Sequence, residues 1–151
     1  MSKSKNIEKN IIKSCELCGK LLMVDERGFG TCEKCGWIQC KYAVEHPDEF
    51  DLGNHVSFNN AKKLFKEGKP LKPTFSEYLE FLRIYGETEF EYKQKLYGTE
   101  RGDDFVSLFE CMPFKKLSTY GSIQEFAAKA NIGGKLIIDV WDNISQISEL
   151  N

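Results

Sequence analysis

The sequence of 151 residues predicts an α+β fold, and three observations carry that expectation. Two Cys-x-x-Cys-Gly pairs, Cys15-Glu-Leu-Cys18-Gly19 and Cys32-Glu-Lys-Cys35-Gly36, sit in a segment with too few apolar residues to build a core of its own. Helix-capping residues stand before apolar side chains at helical spacing in three places, at Ser57, Thr74 and Ser122. Between the last two, residues 88–111 hold short runs of β-forming residues separated by brief polar breaks, the pattern of an antiparallel meander. Helices laid on one face of such a meander bury both apolar faces together.

Composition narrows the class. Apolar residues make up 41% and aromatics 13%, enough to build a core, so the chain is not of the disordered type. The formal charge of −2 comes from 21 Lys+Arg against 23 Asp+Glu. That excludes both an overall cationic nucleic-acid coat and an overall acidic mimic of nucleic acid, and leaves electrostatic recognition to local patches. No apolar run approaches the roughly 18–20 residues of a membrane span, and MSKSKNIEKN has no apolar h-region. The expected setting is cytoplasmic, with no membrane partner. There the six cysteines serve as ligands or thiols rather than disulfides.

The elements follow in order. Residues 1–13 read as a flexible basic tail containing Lys3, Lys5, Lys9 and Lys13. Residues 14–69 form the first unit. Within it, KLLMVDERGFGT between the cysteine pairs reads as a hairpin: Leu21 to Val24, a polar turn at Asp25 to Gly28, then a return strand. Ser57 caps a helix in which Phe58, Ala61, Leu64 and Phe65 form the apolar face and Gly68 is the stop. Pro70 and Pro73 mark a short stiff linker in a basic stretch. Residues 74–151 form a small α+β unit. Thr74 and Glu77 make a capping box ahead of Phe75, Tyr78, Leu79 and Leu82, and Gly86 ends that helix. Strands are expected at 88–92, 95–99 and 105–111. Ser122 and Glu125 make a second capping box before Ile123, Phe126, Ala127 and Ala130. After Gly133-Gly134, Leu136, Ile137, Val140, Trp141 and Ile144 mark a last helix.

The four cysteines carry chemistry. Two residues between cysteines let one tight turn present two sulfurs to one ion, and the following glycine takes the left-handed conformation that aims backbone N–H groups at the sulfurs. A doubled motif with matched glycines fits a tetrahedral site of Cys15, Cys18, Cys32 and Cys35 better than a redox pair. Iron in a rubredoxin-like site shares the geometry; ligand softness and availability favour Zn2+. Four protein thiolates leave no open position, so the ion is structural and its binding energy is folding energy for this core-poor segment. Trp37 and Ile38 are expected to cap the site. Cys40 reads as a plain thiol and Cys111 as a buried small hydrophobe. His46 and His55 could form a second, weak site with Asp48 and Asp51, though two lone histidines in a polar loop are more often surface residues.

Residues 15–68 resemble the bacterial cysteine-rich CPCC-type zinc-ribbon family. The paired knuckles, Trp37 directly after the second of them, the acidic loop HPDEFDLGNHV and the helix SFNNAKKLFKEG carry the resemblance. Glu16 and Glu33 stand where that family has proline, and its adjacent Cys-Cys is absent. FSEYLEFLRIYGETEFEY and GGKLIIDVWDNIS are similar to the uncharacterised tails that follow such ribbons. The resemblance implies a zinc-ribbon fold and a bound zinc; the family brings no established activity.

For function, the chain shows no Walker loop, no Gly-x-Ser-x-Gly elbow, no His-Glu-x-x-His and no deaminase pattern, and it has two histidines. The expectation is a protein that is not an enzyme and acts by stoichiometric binding to another protein, itself a nucleic-acid enzyme. Its specific form is an anti-CRISPR-like inhibitor of a type II RNA-guided nuclease carried by a phage or mobile element. A toxin-immunity protein or a nucleic-acid-binding ribbon is the alternative, the latter through Lys62, Lys63, Lys66, Lys69 and Lys72. Only three Arg are present, and Arg dominates base reading. Glu87, Glu89 and Glu91 have strand period two and line one face, opposite Phe90 and Tyr92.

Overall fold

A computed structural model describes residues 11–149. It is a mixed α+β structure with several antiparallel sheets, and the chain divides between Leu71 and Lys72 into two compact units. The expected basic tail over residues 1–10 lies outside the described residues. Residues 11–13, assigned to that tail from sequence, instead belong to a strand.

In the first unit, β1 (Ile11–Ser14) pairs antiparallel with β2 (Leu21–Val24), Ile11 opposite Val24 and Ser14 opposite Leu21. The sequence reading paired Leu21–Val24 with the residues after the turn. The turn itself is present: the Asp25 N–H donates to the Phe29 carbonyl at 2.8 Å, and the Asp25 carboxylate accepts from the N–H groups of Arg27 and Phe29. The returning chain passes β2 at Gly30, where a Cβ would lie 2.8 Å from the Met23 carbonyl oxygen. It continues to a single bridge, Thr31 to Ile38, while the β-branched Ile11 and Ile12 supply the ladder.

A one-turn helix that sequence reading missed, α1 (Lys41–Glu45), precedes the short pair β3 (Phe50–Asp51) and β4 (Val56–Ser57). Helix α2 (Phe58–Lys66) starts where expected. The Ser57 hydroxyl accepts the Asn60 N–H at 3.1 Å, Lys63 and Lys66 occupy the last turn, and Gly68 follows at φ +72°. Phe58 and Ala61 are buried and Leu64 is half-buried. Phe65, expected on the same face, is exposed, because the buried stripe is only wide enough for the 58/61 row. Trp37 packs on Phe58 at a ring separation of 5.3 Å, so α2 and the second cysteine pair share the small core that also holds Ala43, Val56 and Ala61.

The second unit opens with α3 (Phe75–Tyr85). Both halves of the Thr74–Glu77 capping box form, and Gly86 closes the helix at φ +83°. A four-strand meander follows: β5 (Glu87–Tyr92), β6 (Lys95–Arg101), β7 (Val106–Cys111) and β8 (Phe114–Tyr120). Then come α4 (Ile123–Lys129), the short pair β9 (Asn131–Ile132) and β10 (Lys135–Leu136), and α5 (Ile137–Val140). A 3-10 turn over Trp141–Asn143 leads to β11 (Ile144–Glu149). The sheet order is β11-β5-β6-β7-β8, all antiparallel.

Two expectations are corrected here. The meander has a fourth strand, β8, whose alternation is hidden by Lys115 and Lys116 and broken by a bulge opposite Leu108/Phe109. The last helix stops after one turn, and Ile144 opens β11 opposite Tyr92 on the free edge of β5. Edge pairing gives residues 144–149 a ladder of backbone bonds, and β-branched Ile144 and Ile147 fit a strand. The Ser122 cap is formed by its hydroxyl, which accepts the Glu125 N–H at 3.0 Å.

Helices α3 and α4 lie on the sheet face that carries Thr88, Phe90, Tyr92, Tyr97, Leu108 and Tyr120. Tyr78 meets Phe90 edge-on at 6.1 Å and tilts on Trp141 at 4.9 Å, while Tyr120 meets Phe126 edge-on. The Tyr78 hydroxyl is buried between Thr88 Oγ1 (2.7 Å) and Thr99 Oγ1 (2.9 Å), which also bond to each other. Burial pushes this phenol up to about 12, so it stays neutral and all three hydroxyls are satisfied.

The β5–β6 turn is built from Lys93 (φ +50°) and Gln94 (φ +65°), side-chain-bearing residues in the left-handed region that a two-residue hairpin demands at both positions. Gln94→Gly removes strain at the second. We expect this unit to gain about 1 kcal/mol, read as a higher urea midpoint at unchanged m.

Candidate metal centre

The two cysteine pairs are folded by the same local bonds. The Cys15 N–H donates to the Lys20 carbonyl (2.8 Å) and the Gly19 N–H to the Cys15 carbonyl (3.0 Å). The Cys32 N–H donates to the Trp37 carbonyl (2.9 Å) and the Gly36 N–H to the Cys32 carbonyl (2.8 Å). Gly19 and Gly36 share φ +82°, which a side chain would strain; here glycine is required by the turn.

These turns bring the four sulfurs within 4.8 Å of one another. Cys15 Sγ lies 3.6 Å from Cys35 Sγ, and Cys18 Sγ lies 3.6 Å from Cys32 Sγ. A tetrahedral ion with Zn–S of about 2.3 Å has sulfur–sulfur edges of about 3.8 Å, so the donor set fits a metal ion such as zinc. Cys15 and Cys32 are buried and Cys18 and Cys35 half-buried, so the site faces water on one side only. When bound, the ion supplies a cross-link between the two turns.

A shell of side chains that sequence reading did not identify supports the cysteines. Gln39 is buried; its amide donates to Cys15 Sγ and to the Trp37 carbonyl, each at 3.3 Å, and its oxygen accepts the Glu16 N–H at 2.8 Å. One oxygen of Glu16 accepts both the Trp37 indole N–H (2.9 Å) and the Cys40 N–H (2.8 Å). Glu16 therefore locks the second turn against the first, whereas Glu33, at the equivalent place, is exposed. The only sequence signal was Glu16 itself, standing in a knuckle where the resembled family has proline.

The thiols differ in electrostatics. Burial pushes Cys15 up, but the Cys18 N–H, the Gln39 amide and the Leu17 N–H outweigh it and bring the thiol down to about 7. Burial raises Cys18 and Cys35. The Gln39 donor thus favours charge on the buried Cys15 sulfur. Gln39→Leu keeps the volume and removes that donor. We expect zinc affinity to fall about 10–100-fold, measured by competition with a colorimetric chelator.

No protein-family model matches the chain, and no curated protein or solved structure matches it significantly. The site therefore stands on its geometry.

The other candidates are placed as follows. Trp37 is fully buried against the cysteines; Ile38 is half-buried, its N–H held by Asn54 Oδ1. Cys40 lies outside the four-sulfur group and donates to Asp51 Oδ1 at 3.6 Å. His46 stacks on Tyr42 at 4.0 Å, Asp48 accepts from Asn59, and Asp51 accepts from Asn54. His46, His55, Asp48 and Asp51 are not gathered into a metal-binding group among the described residues. Cys111 is half-buried rather than buried, on the sheet face away from the helices; burial and the Glu89 carboxylate push its thiol up. Lys62 lies over the Phe58 ring, Lys69 pairs with Glu67, and Lys72 donates to the Trp141 carbonyl. In the second unit a groove of about 540 Å³ runs between α3, α4 and the ends of β6 and β7; Arg83 and Glu80 pair on its rim, and neither histidine lines it.

Proposed function

We propose that this chain is a non-catalytic, zinc-containing module that acts by stoichiometric binding to another protein, with residues 15–68 a zinc ribbon of the CPCC type. The observation that carries the reading is the closed donor set. Four sulfurs surround the ion position, and no ligand place is left for a substrate or an activated water. In the groove between α3 and α4, Glu80 pairs with Arg83, and Arg101 donates to the Leu82 and Gly102 carbonyls.

Within this reading the target is a nucleic-acid enzyme. The specific form is an anti-CRISPR-like inhibitor of a type II RNA-guided nuclease, in which an acidic surface of the chain occupies a basic nucleic-acid channel. The test is titration of the purified chain into such a nuclease loaded with guide and target DNA. Loss of cleavage at one chain per nuclease is the expected result. Full cleavage at tenfold excess removes this target, and protection of a host against a toxin encoded beside the gene then favours the immunity form. Sub-stoichiometric, time-dependent inactivation contradicts the non-catalytic reading. Nanomolar binding to unspecific duplex DNA, lost on mutating Lys62, Lys63 and Lys66, favours the nucleic-acid ribbon instead.

A further inference from the structure

The sheet of the second unit has two unlike faces. Both helices pack on the face of Phe90, Tyr97 and Leu108. The strand registers put Glu87, Glu89 and Glu91 of β5, Glu100 of β6, Phe109 of β7 and Phe114 of β8 on the opposite face.

We propose that this open sheet face is the docking surface for the protein partner, and that the surface it receives is basic, with arginine or lysine beside an aromatic or aliphatic group. The proposal rests on the protein-binding reading above and adds the place and the chemistry.

Four features support it. Glu87 and Glu100 are directly opposed across β5 and β6, and none of the four glutamates forms an ion pair among the described residues. Opposed like charges destabilise an antiparallel pair, so the fold alone gives no reason for them; a cationic partner surface does. Second, the other end of the face is apolar and exposed. Phe114 is 69% exposed, its ring 5.2 Å from that of Phe109, and the adjoining Met112 is 81% exposed. Third, the middle of the face is covered by the Phe109 ring rather than by a β6 side chain. Gly98 lies under that ring, and a Cβ there would come within 2.5 Å of it. Fourth, β5 and β8 are three strand spacings apart, about 14 Å, which sets the distance between cationic and apolar groups on the partner.

Charge selects the occupant. A second copy of this chain would set four glutamates against four, and a phosphate backbone would be repelled. A guanidinium suits both ends, because it pairs with carboxylates and stacks on phenyl rings. Among the described residues Lys116 is the one cation on the face, across from Phe109 at the apolar end and away from the glutamates.

The test is selection of a random twelve-residue peptide library, displayed on phage, on the zinc-loaded full chain. We expect enriched peptides to carry several Arg or Lys and at least one aromatic, and to bind more weakly as salt rises. Glu87→Lys/Glu89→Lys/Glu91→Lys should weaken them at least about tenfold, and Phe114→Ala several-fold, at an unchanged melting temperature. Should the triple reversal fail to fold, the triple Glu→Gln variant serves, with a smaller loss in the same direction. Enriched peptides that lack basic residues, or that bind the triple variant undiminished, overturn the face assignment while leaving the protein-binding reading in place. A concentration-dependent dimer lost in Phe114→Ala overturns it in favour of a second copy. One-to-one inhibition of a target by the triple variant as strongly as by the native chain overturns the face alone; no inhibition of any target by the native chain overturns the function.

Discussion

Removing zinc with a strong chelator should abolish the structure of residues 15–56 and leave the second unit folded. The described residues of the first unit form a small core of Cys15, Cys32, Trp37, Ala43, Val56, Phe58 and Ala61, of which two are candidate ligands. Its strands are two to four residues long, and β1 is exposed along its length. Such a segment cannot offset the chain entropy of ordering it, whereas a four-thiolate zinc contributes about 10–16 kcal/mol of apparent binding energy at neutral pH. The effect is therefore all-or-none for this unit. The two tryptophans separate the units: Trp37 beside the cysteines should become exposed and shift its emission to the red, while Trp141 in the second core should not. Acid should act in the same direction. Metal ligation requires thiolates, so their folded-state pKa values in the loaded site lie below those of the unfolded chain. The stability they contribute is present at high pH and is lost as protons compete for the sulfurs on acidification. A single cooperative loss of both tryptophan signals on chelation would contradict independent units.

Trp141→Ala should destabilise the second unit by about 3–5 kcal/mol and leave the bound zinc in place. The indole is nearly buried and packs edge-on against Phe75 at 5.3 Å and tilted on Tyr78 at 4.9 Å. Its N–H donates to the Pro73 carbonyl at 3.0 Å, and its own carbonyl accepts from Lys72, whose ammonium also lies 5.3 Å from the ring. Burial lowers Lys72, with Asp142 opposing the shift. The substitution thus opens a cavity at the start of α3 and unties the residues that lead into it. Trp141→Phe, which keeps most of the ring volume and loses the N–H, should cost less than half as much. Urea unfolding followed by circular dichroism measures both, and zinc content provides the control.

What could be read from the sequence follows the range of the forces involved. The two Cys-x-x-Cys-Gly turns, the Ser57 and Thr74 caps, the Gly68 and Gly86 stops and the alternation of Glu87 to Tyr92 are each set by residues within a few positions of each other. The misses are long-range. Ile144 continues a helical spacing, and only the open edge of β5 turns it into a strand. β2 finds its partner before it in the chain rather than after it, since Ile11 and Ile12 are better strand formers than the glycine-rich return. Lys115 and Lys116 hide β8 because an edge strand tolerates charge on both faces. Gln39 and Glu16 carry no motif; their value comes from contacts 23 and 24 residues apart.

The most direct measurement is the metal content of the purified chain by elemental analysis, with native mass spectrometry for stoichiometry. The account predicts one zinc per chain, retained in Cys40→Ser and lost in a Cys15→Ser/Cys32→Ser double variant. A chain that is folded over residues 15–56 without metal, or a double variant with undiminished zinc, would contradict it.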